Sequence, residues 1–249
     1  MIKNIIISLL LLINIYSLAI IIESNDIAAI CQHIQPDKKV LILFDVDNTI
    51  ARTLSSLGSD EWNTHMIQQG VNAGKEYRQA VEAHLPLYFQ LMHALDLKPV
   101  DPMTPDFIIQ LQSMNHHVCA LTLRSLPLVE RTAVQLNTIG IRFADSCPFT
   151  QQKYHDNCQC HEGIIFTGGG DKGVALSTIF TYHDHLTYDL VIFVDDKRRY
   201  LEQVEVILAQ LGIQFVGIRY SYADDIVAQF DPEVTARLLQ EWQNQTICQ

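Results

Sequence analysis

The sequence predicts an α/β domain, a parallel sheet with helices on both faces, and three observations carry that expectation. Apolar runs of four or five residues, Val40-Leu-Ile-Leu-Phe44, Val118-Cys-Ala-Leu121 and Val191-Ile-Phe-Val194, show no polar alternation, as expected of strands buried on both faces. Segments with helical spacing, 127–139, 172–183 and 200–211, alternate with these runs, the grammar of βα units. Each run ends in polar side chains, Asp45 and Asp47, Thr122, and Asp195 with Asp196. Ligands of open α/β sheets sit just beyond those strand ends.

The elements follow in order. Residues 24–36 read as a short helix and 40–45 as the central strand. From Ser59 to about Ala94 the pattern is helical, with Trp62, Met66, Tyr77, Val81, Leu85, Phe89 and Met92 as apolar positions and Pro86 as a break or kink. Asp101-Pro-Met-Thr-Pro105 is a turn, followed by a helix from about Asp106 to Ser113. Strand 117–122, helix 127–139 and an irregular or hairpin segment 141–167, with Gly163-Ile-Ile-Phe166 as a strand, come next. Helix 172–183, strand 190–194, helix 200–211, strand 214–219 and helix 232–244 complete the chain. There is no internal repeat and, beyond the N-terminus, no low-complexity tract.

The chemistry lies at the strand ends. Burying a carboxylate is costly unless a cation or hydrogen bonds compensate, so Asp45 and Asp47 together imply a hard cation with oxygen ligands, such as Mg²⁺. Asp195 and Asp196 repeat the pattern, and Gly168-Gly-Gly-Asp-Lys172 is a glycine turn that delivers a lysine to a helix start. A cation there opposes the helix dipole, which favours a functional reason for it. Taken singly, each feature has a plainer reading. Asp45 and Asp47 are common turn residues, Thr122 has high strand propensity, Lys172 is a solvated lysine and Arg124 a surface ion pair. The functional reading rests on the set.

The order Asp45-x-Asp47-x-Thr49, Thr122, Lys172, Asp195-Asp196 resembles the haloacid dehalogenase-like phosphohydrolase superfamily over roughly residues 38–220. Leu57-Gly-Ser-Asp-Glu-Trp62 and Phe215-Val-Gly-Ile-Arg-Tyr220 resemble an uncharacterised bacterial branch of it, known only as a domain of unknown function. The resemblance implies a Rossmann-like sheet with a small helical cap inserted after the first strand. It divides the chain into a core, 24–58 and 100–249, and a cap, 59–99. It makes Asp45 the nucleophile that forms an aspartyl-phosphate, and Asp47 the acid and base for the leaving oxygen and for water. Mg²⁺ would be held by the Asp45 carboxylate, the Asp47 carbonyl and Asp195, with Asp196 direct or through water. Thr122 would bind a phosphate oxygen, Lys172 would neutralise phosphate and Asp45, and Arg124 is a further candidate phosphate contact. A cap excludes water and selects the substrate; Trp62, His65 and Tyr77 are candidates for its tip, with plain packing the alternative.

Composition fits an enzyme domain, with 48% hydrophobic and 18% charged residues in 249. The net charge of −11 argues against a nucleic-acid partner. Met1-Ile-Lys3, the apolar stretch Ile5–Ile15 and Ser17-Leu18-Ala19 read as a signal peptide over 1–19. Ile20-Ile21-Ile22 extends the apolar run to the lower edge of a spanning helix, so an uncleaved membrane anchor is the alternative. Either way the catalytic domain is expected outside the cytoplasm, periplasmic or secreted. Six cysteines, Cys31, Cys119, Cys147, Cys158, Cys160 and Cys248, permit three disulfides in fifteen connectivities. Cys119 reads as a buried thiol, and Cys147 could bond Cys158 or Cys160. His155-Asp-Asn-Cys158-Gln-Cys160-His161 has zinc-type ligands at no common zinc spacing, and an oxidising location favours a disulfide or inert loop.

The expected function is therefore Mg²⁺-dependent hydrolysis of a small phosphomonoester. The alternatives are a phosphotransferase of the same fold and a catalytically retired secreted binding protein.

Overall fold

The computed structural model describes residues 19–149, 151–155 and 157–247. The strands are β1 (Ala19–Ser24), β2 (Val40–Phe44), β3 (Ala51–Thr53), β4 (Leu97–Pro99), β5 (His117–Thr122), β6 (Gln152–His155), β7 (Cys158–His161), β8 (Ile164–Phe166), β9 (Leu190–Asp195) and β10 (Gln214–Tyr220). The α-helices are α1 (Asp60–Asn72), α2 (Tyr77–Ala94), α3 (Thr104–Ser113), α4 (Val129–Thr138), α5 (Lys172–Tyr182), α6 (Arg198–Leu211), α7 (Asp224–Ala228) and α8 (Pro232–Ile247).

One eight-stranded sheet runs in the order β1-β10-β9-β2-β5-β8-β7-β6. It is parallel from β1 to β8, and the β6–β7 hairpin adds the two antiparallel strands at one edge. The apolar runs work as a two-faced core. Val40, Ile42 and Phe44 of β2 join Ile192, Val194 and Ala120 on one face, against Ile108 and Leu111 of α3 and Ala133 and Leu136 of α4. Leu41 and Leu43 join Val191, Phe193, Cys119 and Leu121 on the other, against Leu176 and Ile179 of α5 and Leu201, Val204 and Leu208 of α6. Burial on both faces is why these strands read as continuous apolar runs. The architecture is the Rossmann-like α/β fold that the sequence predicts.

Some boundaries differ from expectation. The targeting segment read at 1–19 lies outside the described residues except for Ala19, and Ile20–Ile22 belong to the edge strand β1, paired with Val216–Ile218 of β10. Three β-branched residues suit a pleated edge as well as a leader. Among the described residues no helix is long and apolar enough to cross a membrane. The short helix expected at 24–36 is a 3₁₀ turn over Ile27–Gln32, capped by Asp26 Oδ1 accepting from Ala28 N at 2.8 Å.

The helical block is two helices, and its break is not at Pro86. Helix α1 starts at a Ser59 cap, whose Oγ accepts from Trp62 N at 3.1 Å, and the chain reverses at Gly74 with φ +92°. Helix α2 then runs through Pro86, which is exposed, so the carbonyl it leaves unpaired can turn to solvent. The antiparallel pair β3–β4 closes the base of this insertion. Strands of three residues are too short to show a period, which is why the sequence did not announce them. Leu57, Trp62 and Leu91 of the insertion pack against Leu238, Leu239 and Trp242 of α8. The last helix therefore packs over the insertion.

Candidate active site

The C-terminal ends of β2 and β9 are adjacent, so the two acidic motifs meet. Asp45 N donates to Val194 O at 2.9 Å, which fixes the first carboxylate beside the second pair. Past Asp45 the chain makes a tight turn in which Val46 O accepts from Ile50 N and Ala51 N, at 3.1 and 2.9 Å, with Asn48 left-handed at φ +61°. Thr49 Oγ1 accepts from Asp196 N at 3.0 Å, locking the first motif to the last.

Lys172 reaches this pair from α5. Gly168 and Gly169, with φ +58° and +81°, turn the chain into the helix, and Asp171 caps it by accepting from Val174 N at 2.9 Å. Gly173 lies so close to α6 that a Cβ would sit 2.2 Å from Gln203 O. That close approach carries Lys172 inward, where Nζ donates to Asp45 Oδ1 at 2.5 Å and Asp195 Oδ2 at 2.6 Å. Its stem is walled by Phe193 and Tyr200, with ring centroids 5.1 and 4.8 Å from Nζ. Asp195 is fully buried and its other oxygen accepts from Lys197 N at 2.8 Å.

Asp45, Asp195 and Asp196 form a trio whose ligand oxygens all lie within 4.8 Å of one another. Two buried carboxylates share the Lys172 ammonium and the half-buried Asp196 adjoins them, which leaves negative charge in excess. Burial pushes the Asp45 carboxyl up to about 7 against the pull of Lys172. Asp196 is raised well above the carboxylate range by burial and by Asp45. Burial opposes the charge of Lys172 too, but Asp195 and Asp45 outweigh it and keep the ammonium charged. Hard oxygen donors with uncompensated charge fit Mg²⁺.

Asp47 turns away from the trio to Arg124. The guanidinium grips it with two hydrogen bonds, Nε to Oδ2 at 2.9 Å and Nη2 to Oδ1 at 2.7 Å. Its Nη1 donates to Thr132 Oγ1 and Gln135 Oε1, both at 3.1 Å. Arg124, a candidate for a phosphate contact or an ion pair, turns its three nitrogens to Asp47 and α4. Burial alone would raise the Asp47 carboxyl, but Arg124 overrides it and holds the group below its ordinary value. Thr122 is buried beside them, its Oγ1 accepting from Arg124 N at 3.2 Å.

Asp196 opens on a cleft of about 920 Å³ between α1 and the core, which Asn48, His65, Lys197, Arg199 and Arg219 also line. Lys197 bonds Asp60 across it, joining core to insertion. Of the residues considered for the cap tip, His65 lines this cleft, its ring tilted against Phe230 with centroids 5.7 Å apart. Trp62 is buried and Tyr77 is exposed at the far end of the insertion. Lys197, Thr132 and Gln135 were not singled out from the sequence. Lys197 directly follows the second acidic pair, which was a usable signal; the α4 residues carried none.

A family model described as a protein of unknown function, DUF2608, matches residues 23–246. The chain belongs to the DUF2608 family. A DUF2608 chain of this kind is also similar to two chlamydial proteins, each named "putative outer membrane protein". The one from Chlamydia pneumoniae is 22% identical over 80% of this chain and 78% of its own length. The one from Chlamydia muridarum is 22% identical over 78% of this chain and 73% of its own.

Proposed function

We propose that this DUF2608 protein is a Mg²⁺-dependent phosphatase of the haloacid dehalogenase-like type, acting on a small phosphomonoester outside the cytoplasm. One observation carries the reading: a nearly buried carboxylate, Asp45, at the end of the central parallel strand, shares Lys172 with Asp195 and meets Asp195 and Asp196 within 4.8 Å. A purely structural role would gain nothing from gathering two buried carboxylates about one ammonium with a third, half-buried, beside them. The two chlamydial names and the apolar N-terminal sequence support an exported location.

Asp45, Asp195 and Asp196 would hold Mg²⁺, which supplies charge neutralisation at the phosphoryl oxygens. Asp45 Oδ2 attacks phosphorus and the ester oxygen leaves, giving an aspartyl-phosphate that water then cleaves. Lys172 positions Asp45 and offsets charge on the transferring group. Asp47, held ionised by Arg124, is in the state needed to take the proton of the attacking water. Protonating the leaving oxygen in the first displacement requires its carboxyl to swing out of the Arg124 fork. Thr122 offers its hydroxyl hydrogen to phosphate, since its oxygen already accepts from Arg124 N.

The test is hydrolysis of p-nitrophenyl phosphate by the purified chain with and without Mg²⁺, beside Asp45→Asn. Metal-dependent release that Asp45→Asn abolishes is expected. Release that survives in folded Asp45→Asn, or in excess chelator, overturns the reading; no release together with no beryllium fluoride adduct at Asp45 indicates a retired enzyme.

A further inference from the structure

We propose that Cys147 is the centre of a thiol–disulfide site, bonding first to Cys119 and exchanging onto Cys160, at the end of the sheet opposite the acidic trio. It stands independently of the phosphatase reading.

Two strands and the segment before β6 bring the thiols together. Cys119 is buried in β5 and points to the face of the sheet that α5 and α6 cover. The segment before β6 runs beside the start of β5, where Val118 N donates to Ser146 O at 3.3 Å and Ser146 Oγ donates to Val118 O at 2.8 Å. That pairing sets Cys147 next to Cys119, whose Sγ–H donates to Cys147 Sγ at 2.8 Å. A disulfide needs about 2.05 Å between sulfurs, so less than an ångström of closure separates contact from bond. Cys160 of β7 belongs to the cluster of buried side chains against which Cys147 packs, and Cys147 together with burial pushes the Cys160 thiol up.

Topology makes Cys147 the shared partner. Leu121 of β5 pairs with Ile165 of β8, and Ile165 with Cys160, so a whole strand lies between β5 and β7. Two strand spacings of ~4.8 Å and a two-residue offset along the strands put the Cα atoms of Cys119 and Cys160 roughly 12 Å apart, beyond the ~7 Å that a disulfide spans. Neither can bond the other, and either can bond Cys147. Among the described residues the group of three donors that converges for a metal is acidic, so the cysteine trio is not a closed metal cage. The pairing of Cys147 with Cys158 or Cys160 suggested by the sequence omitted Cys119, which is 28 residues away and mid-strand.

Cys147 also has a route to reagents. It is half-buried and lines a cavity of about 310 Å³ with His116, His117 and Asp145 at the N-terminal end of β5. Burial pushes the Cys119 and Cys147 thiols up, which keeps them protonated and slow until an oxidant enters the cavity. The chemistry balances with a disulfide oxidant. The Cys147 thiolate attacks it, one oxidant thiol leaves, and Cys119 sulfur displaces the second. Two protons and two electrons pass from Cys119 and Cys147 to the oxidant, which departs as two thiols. Cys160 can then attack Cys147 sulfur, expelling Cys119 as a thiol. The bond fastens the segment that carries Phe143 and Phe149 onto the sheet.

The experiment is incubation of the full chain with excess oxidised glutathione, alkylation by N-ethylmaleimide, and peptide mapping by mass spectrometry. The expected result is a Cys119–Cys147 linked peptide with Cys160 alkylated at early times and a Cys147–Cys160 link appearing later, both reversed by dithiothreitol. In Cys119→Ser the link moves to Cys147–Cys160; in Cys147→Ser no bond joins Cys119 to Cys160. Cys119→Ala serves if the serine variant fails to fold, and the wild-type map decides the first bond alone. Full alkylation of all three, a first bond to Cys160, a bond from Cys147 to Cys31, Cys158 or Cys248, or stable glutathione adducts only would each overturn the proposal.

Discussion

Lys172 shares its ammonium between two carboxylates in a place water does not reach. Removing one partner of a buried ion pair leaves charge uncompensated, at a cost of ~3–5 kcal/mol. Lys172→Met should lower stability by that amount in urea titration, and added Mg²⁺ should restore part of it by supplying the missing positive charge. A variant as stable as the parent would show that the carboxylates need no cation. Arg124→Lys keeps the charge but not the fork, so Asp47, Thr132 and Gln135 lose donors. A loss of ~1–3 kcal/mol in the same assay is expected; a change of a few tenths would mean that charge alone holds Asp47. These two residues also mark what a sequence can disclose. Lys172 was legible because a glycine turn before a helix gives a lysine a definite address. The partner of Arg124 was not, because Asp47 and Arg124 are 77 residues apart and the direction each takes is set by the turn at Asn48 and by α4.

Gly173 shows how an element's packing reaches the site. Its missing Cβ lets α5 approach Gln203 and Ile207 of α6, and Lys172 N donates to Gln203 Oε1 at 3.2 Å in the same contact. Gly173→Ala must push the helices apart, so a destabilisation of ~1–3 kcal/mol is expected, with the proposed phosphatase activity falling as Lys172 withdraws. Unchanged activity and melting temperature would show that α6 yields without moving Lys172. In the insertion, His84 of α2 packs on Trp62, with ring centroids 4.8 Å apart, and among the described residues its Nε2 has no hydrogen-bond partner. Burial lowers its pKa. The unfolded chain therefore binds the proton more readily, so this stabilising contribution is whole above pH ~6.5 and is lost as pH falls through the lowered folded value. Thermal melts followed by tryptophan fluorescence should lose midpoint from pH 7 to 5, and His84→Gln should flatten that slope; an identical slope would remove His84 from the account. Element type was readable throughout 59–94, whereas the break was not, since an exposed proline is tolerated inside a helix and Gly74 offered a cheaper reversal.

Across the whole molecule, the sheet and its two cores follow from the unbroken apolar runs, but the partnership between insertion and C-terminus does not. Helix α8 is mostly exposed, and only Thr235, Leu238, Leu239 and Trp242 along its described side chains turn inward. Such a stripe tells that a helix packs, not against which surface. It packs on Leu57, Trp62 and Leu91, and Ser56 Oγ lies 2.9 Å from Thr235 Oγ1, so α8 braces the insertion that forms one wall of the cleft beside Asp196. Ending the chain at Asp231 should leave β2, β9, Asp45, Asp195 and Asp196 in place while loosening α1 and α2. Exposing two or three half-buried apolar side chains costs ~3 kcal/mol, which raises the open population of the insertion about a hundredfold. Limited proteolysis should then cut within 60–94 well before the sheet, and Trp62 emission should shift to the red. If the phosphatase reading holds, the truncated chain should still cleave p-nitrophenyl phosphate while losing discrimination among larger phosphomonoesters, because the catalytic groups belong to the sheet and the selecting wall belongs to the insertion. Parent-like protease resistance at 60–94 would show that the β3–β4 stalk and the Lys197–Asp60 pair hold the insertion without help from α8.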